Sequence, residues 1–316
     1  MDSHYEKSWQ LPSYDLSSQP VEDLVLKFKY AATPEEHLAN FNAAIALGLP
    51  SLQKGELTSE PIAVVCSGPS LKATRREVRH FNKILTCSGA HKYLIDHGLV
   101  PTWHMEGDPR EHKAVFVKHP HKRVQYLIAS SCHPAMFKNL KGYDVRIWHS
   151  LQGAHHLLTL DHYPPGDWVL TGGTNVGMRA LVMARLLGFT NVHVFGMDCS
   201  AEETMHTGDH PNEAPKSKFI TVQVGDQEFK TTHLFLAYAK QFFHEVIQLP
   251  DVHFTLHGEG LLQALTALKL TDPDQLKEFM DKRENVVETT IAVVQRPQVG
   301  LVEGTFEIPM EDIYAS

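Results

Sequence analysis

The sequence has few cysteines and no long apolar run. Its four cysteines, Cys66, Cys87, Cys132 and Cys199, lie far apart and form no CxxC pair, so we expect reduced thiols and no disulfide scaffold. No apolar stretch approaches the ~20 residues that cross a bilayer, and residues 1–15 lack the basic and then apolar pattern of a signal peptide. The sequence therefore predicts a soluble, cytoplasmic protein that does not enter a membrane.

Positive charge is also scarce, with 29 Lys and Arg against 37 Asp and Glu and a formal net charge of −8. This balance argues against a nonspecific nucleic-acid coat protein, because affinity for the phosphate backbone comes mainly from Lys and Arg. The composition is otherwise ordinary, and 316 residues can form one large α/β domain. Arg75, Arg76 and Arg79 could still contact a DNA backbone locally. A modified DNA base therefore stays open as the acceptor of a group that the protein transfers.

From residue 61 onward, short apolar runs alternate with amphipathic stretches. The pattern predicts strands at 61–67, 83–88, 102–107, 124–130, 144–150, 192–198 and 252–258, and helices at 71–80, 90–97, 109–118, 133–140, 174–188 and 233–249. Strands that alternate with helices favour a mostly parallel sheet with right-handed crossovers and helices on both faces. We therefore predict the Rossmann-like α/β class, with additional N-terminal helices and a β-hairpin insertion.

Residues 21–48 predict two helices that are split near Thr33, which is suited to cap the second helix because Pro34 follows it. Residues 218–232 predict the hairpin, with its turn at Gly225-Asp226. Residues 199–218 have no periodicity and are typical of a long loop or lid on the ligand side.

These patterns divide the chain into three parts. They are an N-terminal arm with helices (1–58), a nucleotide-binding catalytic domain (59–270), and a C-terminal helix and tail (271–316). The helix is expected at 271–283, and the tail from 284 is interpreted as an edge strand or an oligomer contact, so a homo-oligomer stays open.

The first candidate site is the turn in VVCSGPSLKA, where an apolar strand leads into a helix. Such a turn offers free backbone N–H groups and the positive end of a helix to a phosphate. Gly68 would let the ligand approach the backbone, and Ser70 could cap the helix while offering its hydroxyl. Because the spacing matches neither a Walker A loop nor a complete GxGxxG, an ordinary turn is the alternative interpretation. The predicted nucleotide-binding residues here are Ser67, Gly68, Pro69 and Ser70.

The second candidate is Ser88-Gly89, which repeats the same strand–turn–helix pattern one unit later. The following strand brings Glu106 and Asp108 to a carboxyl end, where open α/β sheets bind ligands. Asp108 could hold a metal, accept a hydrogen bond from a ribose hydroxyl or act as a base. Its alternative role is to cap a helix that begins at Pro109.

The third candidate is a run of small polar residues that begins a helix, and we predict that it contacts an anion or a ribose: Thr171, Gly172, Gly173, Thr174 and Asn175. The next strand ends at Asp198, which leads into the long loop. Asp198 is predicted to be catalytic, with a loop-capping role as the alternative. If the enzyme uses Mg²⁺, Asp108 and Asp198 are the candidate ligands.

A general base is sought among the 21 histidines, because imidazole titrates near neutral pH. His206 and His210 in the long loop are the first choices, and His133 follows them. The sequence has no HExxH motif and no tight His/Cys spacing, so we expect no zinc.

Five segments occur in the order of a known family: SGPSL, SGAHKYLIDHGLVPTWHMEGDP, YLIASSCHPAMFKNLKGYDVRIWH, TGGTNVGMRALVMARLLGFTNVHVFGMDCS and VHFTLHGEGLL. Over residues 60–262 the chain resembles the 6-hydroxymethylpterin diphosphokinase MptE-like domain, a family that includes the motility accessory factors of flagellin glycosylation. The arrangement is similar to versions of the domain associated with phage genomes.

The family is more distantly similar to bacterial sialyltransferases, which use a cytidine-nucleotide sugar. That resemblance implies nucleotide contacts at residues 68–71, 171–173 and 196–198. The chain differs from those enzymes by having Cys66 in place of a Gly, and Ser88-Gly89 where an Asn is common.

Three functions follow from the residues and the resemblance. The favoured one is a nucleotide-dependent glycosyltransferase that moves a sugar from a nucleotide-sugar donor to a small-molecule, glycan or protein acceptor. The second is a diphosphokinase that transfers diphosphate from ATP, with Mg²⁺, to a hydroxymethyl-pterin-like or hydroxymethyl-base acceptor. The third is a nucleotide-binding module without catalysis.

Overall fold

The structure is a computed structural model that describes residues 31–150, 159, 162–170, 173–208, 219–271 and 293–295. Nine of its strands form one sheet, in the order β10-β7-β1-β2-β3-β4-β5-β6-β11. In chain order these strands are β1 Thr58–Val65, β2 Lys83–Cys87, β3 Trp103–Glu106, β4 Gln125–Ala129, β5 Asp144–Ser150, β6 Trp168–Leu170, β7 Phe189–Phe195, β10 His253–His257 and β11 Val293–Gln295. Eight of the strands are parallel, and β11 runs antiparallel to β6.

One helix precedes the first strand, and the other helices lie between strands along the chain. They are α1 Pro34–Ile45, α2 Leu71–Val78, α3 Ala90–Asp96, a 3₁₀ helix Glu111–Val117, α4 Pro134–Asn139, α5 Val176–Leu186, α6 His233–Ile247 and α7 Leu261–Thr271. A separate hairpin, β8 Ile220–Val224 with β9 Gln227–Thr231, is inserted before α6. Among the described residues, every helix is too short or too polar to span a membrane.

Apolar residues alternate along β1, and each set is buried in a different hydrophobic cluster. Ala63 and Val65 pack in one cluster with Leu71 of α2 and Leu94 of α3. Ile62 and Val64 belong to the other cluster, which contains the apolar residues of α5 and α6. Helices therefore cover both faces of a parallel sheet, as the sequence predicts for a Rossmann-like fold.

The sheet reverses its direction of growth at β1. The chain proceeds from β1 through β2 to β6 on one side, and β7 then returns to pair with β1 on the other side. In open parallel sheets, ligands bind outside the carboxyl ends of the strands at such a switch point. The turns that follow β1 and β7 are therefore the expected place for a ligand site in this fold.

All seven predicted strands are confirmed, as are the hairpin and the Thr33 cap. Thr33 accepts a hydrogen bond from the Glu36 N–H, and the Glu36 carboxylate accepts one from the Thr33 N–H, which completes a capping box. The prediction of an edge strand in the tail is confirmed by β11. Two elements were not predicted from the sequence: β6, whose three residues are too few to show a periodicity, and α7.

Two predictions about helix starts are wrong. The helix expected at 109–118 is a 3₁₀ helix that begins at Glu111 after Arg110, so Asp108 does not cap it. Ser70 precedes α2, but its side chain makes no capping bond, because the hydroxyl donates to Asp198 instead. The helices predicted within 21–32 and at 271–283 lie outside the described residues, apart from Thr271, which ends α7.

Candidate functional site

A cleft of about 960 Å³ opens where the carboxyl ends of β1, β2, β3 and β7 meet. It brings together eight of the predicted site residues: Ser67, Gly68, Ser88, Asp108, Thr174, Asn175, Asp198 and His206. Four others, Pro69, Ser70, Gly89 and Gly173, do not line it. The remaining three, Thr171, Gly172 and His210, lie outside the described residues.

The turn after β1 packs tightly against the turn after β7. The Gly68 N–H donates to the Gly196 carbonyl over 2.8 Å. A Cβ atom on Gly68 would lie 2.5 Å from that carbonyl oxygen and 2.6 Å from the Asp198 carboxylate. Gly68 is therefore required by the contact between the two turns, whether or not a ligand approaches its backbone.

Asp198 occupies the N-terminus of α2. Its carboxylate accepts the Ser70 N–H over 2.8 Å and the Ser70 hydroxyl, and Gln263 donates to it over 3.3 Å. Burial raises the pKa of Asp198 to about 6, although the hydrogen bonds from Ser70 oppose this shift. The Asp198 carboxylate therefore accepts the hydrogen bonds of the Ser70 N–H and hydroxyl, which the sequence predicts would bind a ligand phosphate.

Two cleft residues other than glycine have left-handed backbone conformations. Ser88 has φ 48° and Cys199 has φ 54°, and among the described residues they are the only non-glycine positions with positive φ. Strained conformations of this kind persist where the surrounding structure holds them, and they cluster at functional sites. Their position supports the assignment of this cleft as the functional site.

The N-terminus of α5 forms another wall of the cleft. The Asn175 side chain caps the helix by accepting the Met178 N–H over 3.0 Å, and the Thr174 N–H and hydroxyl both donate to Gln241 of α6. A Cβ atom on Gly177 would lie 3.0 Å from the Cys66 sulfur. The small residue at this position therefore lets α5 approach the β1 turn.

His206 lies in the described part of the long loop and lines the cleft. Its Nδ1 is 3.5 Å from the Ser67 hydroxyl, and its ring packs edge-on against Phe235 of α6. His133, the weaker candidate base, instead caps α4 by accepting the Ala135 N–H. Of the two candidate bases that the structure describes, His206 lines the cleft and His133 does not.

Asp108 lies at the cleft between two cations. Arg110 donates to it from the backbone N–H and the guanidinium, and the Lys113 Nζ is 3.9 Å away. Burial alone would raise the pKa of Asp108, but the hydrogen bonds and charge of Arg110 hold it below its ordinary value. Asp108 is therefore an ionised carboxylate at neutral pH.

Two buried cations of the cleft, Lys113 and Arg179, were missed by the sequence analysis. Each is only 5% exposed, and both line the cleft. Burial lowers the pKa of Arg179 to about 10, and the nearby Glu245 partly offsets that effect. Arg179 could have been found from the sequence, because it is a charged residue in the first half of a mostly apolar helix, where a buried charge needs a partner or a ligand.

Among the described residues, no three His, Cys, Asp or Glu side chains come together in a way that could hold a metal ion. Asp108 and Asp198 both line the cleft, but each already accepts hydrogen bonds from protein groups. If Mg²⁺ took part, its coordination would therefore depend mainly on ligand phosphates, with Asp108 as the more exposed carboxylate.

Comparison with known proteins agrees with this architecture. A family model described as 6-hydroxymethylpterin diphosphokinase MptE-like matches residues 35–204, which is more than half of the chain. Among solved structures, the chain is similar to the MAf glycosyltransferase from Magnetospirillum magneticum AMB-1, with a TM-score of 0.56 and 14% identity. The match covers 79% of this chain and 42% of that protein, so the chain spans about two fifths of its length. This similarity establishes a common fold. No curated protein matches the chain.

Proposed function

Because this chain belongs to the 6-hydroxymethylpterin diphosphokinase MptE-like family, we propose that it is a nucleotide-dependent transferase that moves a glycosyl group from a nucleotide sugar to an acceptor hydroxyl. Family and fold both support a transferase. The observation that carries the finer proposal is the cleft at the switch point, where two buried cations and the turns after β1 and β2 line one cavity.

The cations supply the electrostatics that a phosphate leaving group needs. Lys113 and Arg179 are already buried and held in place, so they would stabilise the developing negative charge with little reorganisation. The hydroxyls of Ser67 and Ser88 line the same cleft and can donate hydrogen bonds to phosphate or ribose oxygens. This part of the cleft is the proposed donor site.

The acceptor would lie beside His206. An imidazole in contact with the cleft can take the proton of an attacking hydroxyl at neutral pH. Phe235 packs against the ring and restricts its orientation, as a positioned base requires. The loop that carries His206 would also shield the donor from water, which would otherwise hydrolyse it.

A diphosphokinase is the second candidate, and the family description is the observation that favours it. In that reaction Mg²⁺ would neutralise charge on the phosphates of ATP. Asp108 is the ionised, partly exposed carboxylate that could reach such an ion, because its side chain is 22% exposed.

The two candidates differ in the nucleotide that they bind, so a thermal-shift screen tests them. The panel contains ATP, CMP, UDP and GDP and common nucleotide sugars, each with and without Mg²⁺. A ligand that binds only the folded state raises the melting temperature by mass action. Stabilisation by a sugar nucleotide without Mg²⁺ is the expected result. A response to ATP with Mg²⁺ alone would contradict the glycosyltransferase and favour the diphosphokinase.

Arg179→Gln tests the donor site directly. Loss of the guanidinium should weaken binding of the stabilising nucleotide by roughly tenfold or more, since charged hydrogen bonds contribute about 1.5–3 kcal/mol. Arg185→Gln is the matched control, because Arg185 is a buried arginine of the same helix that pairs with Asp251. Both variants should lose stability, but only Arg179→Gln should lose the response to the nucleotide. Equal responses in the two variants would remove Arg179 from the donor site.

A further inference from the structure

We propose that Cys66 and Cys87 form a dithiol in the cleft, and that this dithiol is a modification site for small disulfides such as oxidised glutathione. Exchange with such a disulfide produces a Cys66–Cys87 bridge that joins the turns after β1 and β2. The bridge itself is independent of the proposed function, whereas its effect on the donor rests on that function.

The strand register places the two cysteines opposite each other. Val65, the last residue of β1, pairs with Thr86 of β2. The next residues of the two chain segments are Cys66 and Cys87. Neighbouring strands of a sheet are about 4.8 Å apart, and disulfides join residues whose Cα atoms are roughly 4.4–6.8 Å apart. A pair at this position of the parallel register is therefore within the range of a disulfide.

Both thiols point to the same side of the sheet, towards the first turn of α5. The Cys87 thiol donates to the Val176 carbonyl over 3.9 Å. A Cβ atom on Gly177 would lie 3.0 Å from the Cys66 sulfur, so this sulfur contacts the next residue of the same turn. The two sulfurs therefore share one space between the sheet and the helix, as a bridge requires.

The two thiols also interact directly. A side-chain hydrogen bond with Cys66 is the largest cause that raises the pKa of Cys87 above its ordinary value, and burial adds to it. Cys199 also lines the cleft, but the influence of Cys66 on Cys199 is electrostatic. Cys132 is completely buried and is not part of the cleft lining. The fold therefore favours a bridge between Cys66 and Cys87 over one to Cys199 or Cys132.

The different exposure of the two thiols sets the order of the reaction. Cys66 is partly exposed and lines the cleft, whereas Cys87 is only 2% exposed. The Cys66 thiolate attacks one sulfur of oxidised glutathione, which breaks the S–S bond, forms a mixed disulfide and releases one glutathione. The Cys87 thiolate then attacks the Cys66 sulfur and releases the second glutathione.

The exchange is balanced without another reagent. The two protein thiols are oxidised to one disulfide, and one glutathione disulfide is reduced to two thiols. Each released glutathione thiolate takes up a proton, and the two cysteines supply these two protons. Reduced glutathione in excess reverses both steps, so the modification responds to the ratio of the two forms.

The bridge affects the cleft because each cysteine precedes a serine of the proposed donor site. Ser67 follows Cys66 and Ser88 follows Cys87, and both serines line the cleft. An S–S bond of about 2.05 Å is shorter than any non-bonded contact between two sulfurs, so its formation moves the two turns. We therefore expect the bridge to weaken binding of the donor.

The first test identifies the bridge. The folded 316-residue chain is incubated with oxidised glutathione, free thiols are alkylated, and the protein is digested without reduction for mass spectrometry. We expect the peptide of Cys66 to be joined to the peptide of Cys87, and dithiothreitol to separate them. Absence of a bridge, or a bridge to Cys199 or Cys132, would overturn the proposal.

Two variants check the order of the steps. In Cys87→Ser the reaction should stop at a glutathione adduct on Cys66, because the second thiol is absent. Cys132→Ser is the matched control, since it removes a buried cysteine outside the cleft lining, and it should form the bridge as the wild type does. A folded Cys87→Ser protein without the adduct would exclude Cys66 as the attacking thiol. The map of the wild type decides the bridge even if a variant does not fold.

The effect on the cleft is measured by thermal shift with the same panel of nucleotides and nucleotide sugars. The bridged protein should lose most of the response of the reduced protein, and dithiothreitol should restore it. Cys66→Ser forms no bridge and should respond equally before and after treatment with oxidised glutathione. An unchanged response of the bridged protein would reject the effect on the donor. If no nucleotide stabilises the reduced protein, the proposed function fails, whereas a mapped bridge still supports the modification site.

Discussion

At the N-terminus of α2, the Asp198 carboxylate accepts two hydrogen bonds from Ser70, one from the backbone and one from the hydroxyl. A negative charge at this end of a helix is favourable, because the helix dipole is positive there. The same physics that suggests a phosphate at a strand-to-helix turn therefore also favours a carboxylate of the protein. Asp198 thus joins the β7 turn to the β1 turn, and this contact shapes one side of the cleft.

Asp198→Asn tests the cost of that buried charge. Because the folded pKa of about 6 lies above the ordinary value of 3.8, the folded protein binds a proton more tightly than the unfolded chain. This tighter proton binding at Asp198 stabilises the folded protein below about pH 4, and the stabilisation is lost as pH rises through about pH 6. Since one pKa unit corresponds to about 1.4 kcal/mol, the variant should reduce the loss of stability over this range by about 2 to 3 kcal/mol.

Urea unfolding at a series of pH values measures this effect. The free energy of unfolding of the wild type should fall more steeply between pH 4 and pH 7 than that of the variant. The Glu77→Gln variant is the control, because Glu77 is an exposed residue that pairs with His257 on the surface. Identical pH profiles for the wild type and Asp198→Asn would show that Asp198 is ionised without cost.

At the scale of elements, the segment after β7 is bonded to two neighbours. The Thr207 N–H donates to the Ser67 carbonyl over 2.7 Å, and the Thr207 hydroxyl donates to the Gly68 carbonyl. The Ala201 N–H donates to the Lys230 carbonyl of β9 over 2.8 Å. The described part of the predicted lid is therefore a wall of the cleft that is fixed to the β1 turn and to the hairpin.

Thr207→Val removes one of these bonds without changing the shape of the side chain. It should lower the free energy of unfolding by about 1 kcal/mol and reduce the stabilisation by the nucleotide, because the wall that carries His206 is loosened. Thr190→Val removes a bond of the same kind, from a hydroxyl to the Thr58 carbonyl, away from the cleft. The control should lose similar stability and keep the full response to the nucleotide in a thermal-shift titration. A normal response in Thr207→Val would mean that the wall is not needed for binding.

At the scale of the whole molecule, stability is concentrated in the middle of the parallel sheet. β1 pairs on both sides, with β2 and β7, and its last four residues are completely buried. The β8–β9 hairpin forms a separate two-stranded sheet in which most residues are partly or fully exposed. The molecule therefore combines a well-protected centre with an insertion that has few neighbours.

Hydrogen exchange followed by mass spectrometry checks this difference. Backbone amides of β1 and β7 should exchange only through global unfolding, because they are buried between paired strands. Amides of β8 and β9 should exchange at least about tenfold faster, because a two-stranded sheet opens locally. Equal protection of the two regions would indicate that the hairpin unfolds together with the sheet.

The sequence by itself determined the order and type of the main elements. Apolar runs such as 61–67 and 192–198 identify buried strands, because both faces of a parallel sheet are covered. The turns after β1 and β2 could also be located, since small residues between a strand and a helix have a distinct local pattern. The sequence pattern missed β6, whose three residues are too few to show a periodicity, and it missed α7. The helix that it predicted at 109–118 is a 3₁₀ helix with a later start.

The tertiary structure decided which side chains meet. Asp198 contacts Ser70 across 128 positions of sequence, and Arg179 reaches the cleft that β3 borders. No local pattern can predict such contacts, because they depend on which strands become neighbours in the sheet. Burial raises the pKa of Glu106, and burial is a property of the packed molecule. Sequence therefore located the turns around the cleft, whereas packing determined which of their polar groups are engaged by the protein and which face a ligand.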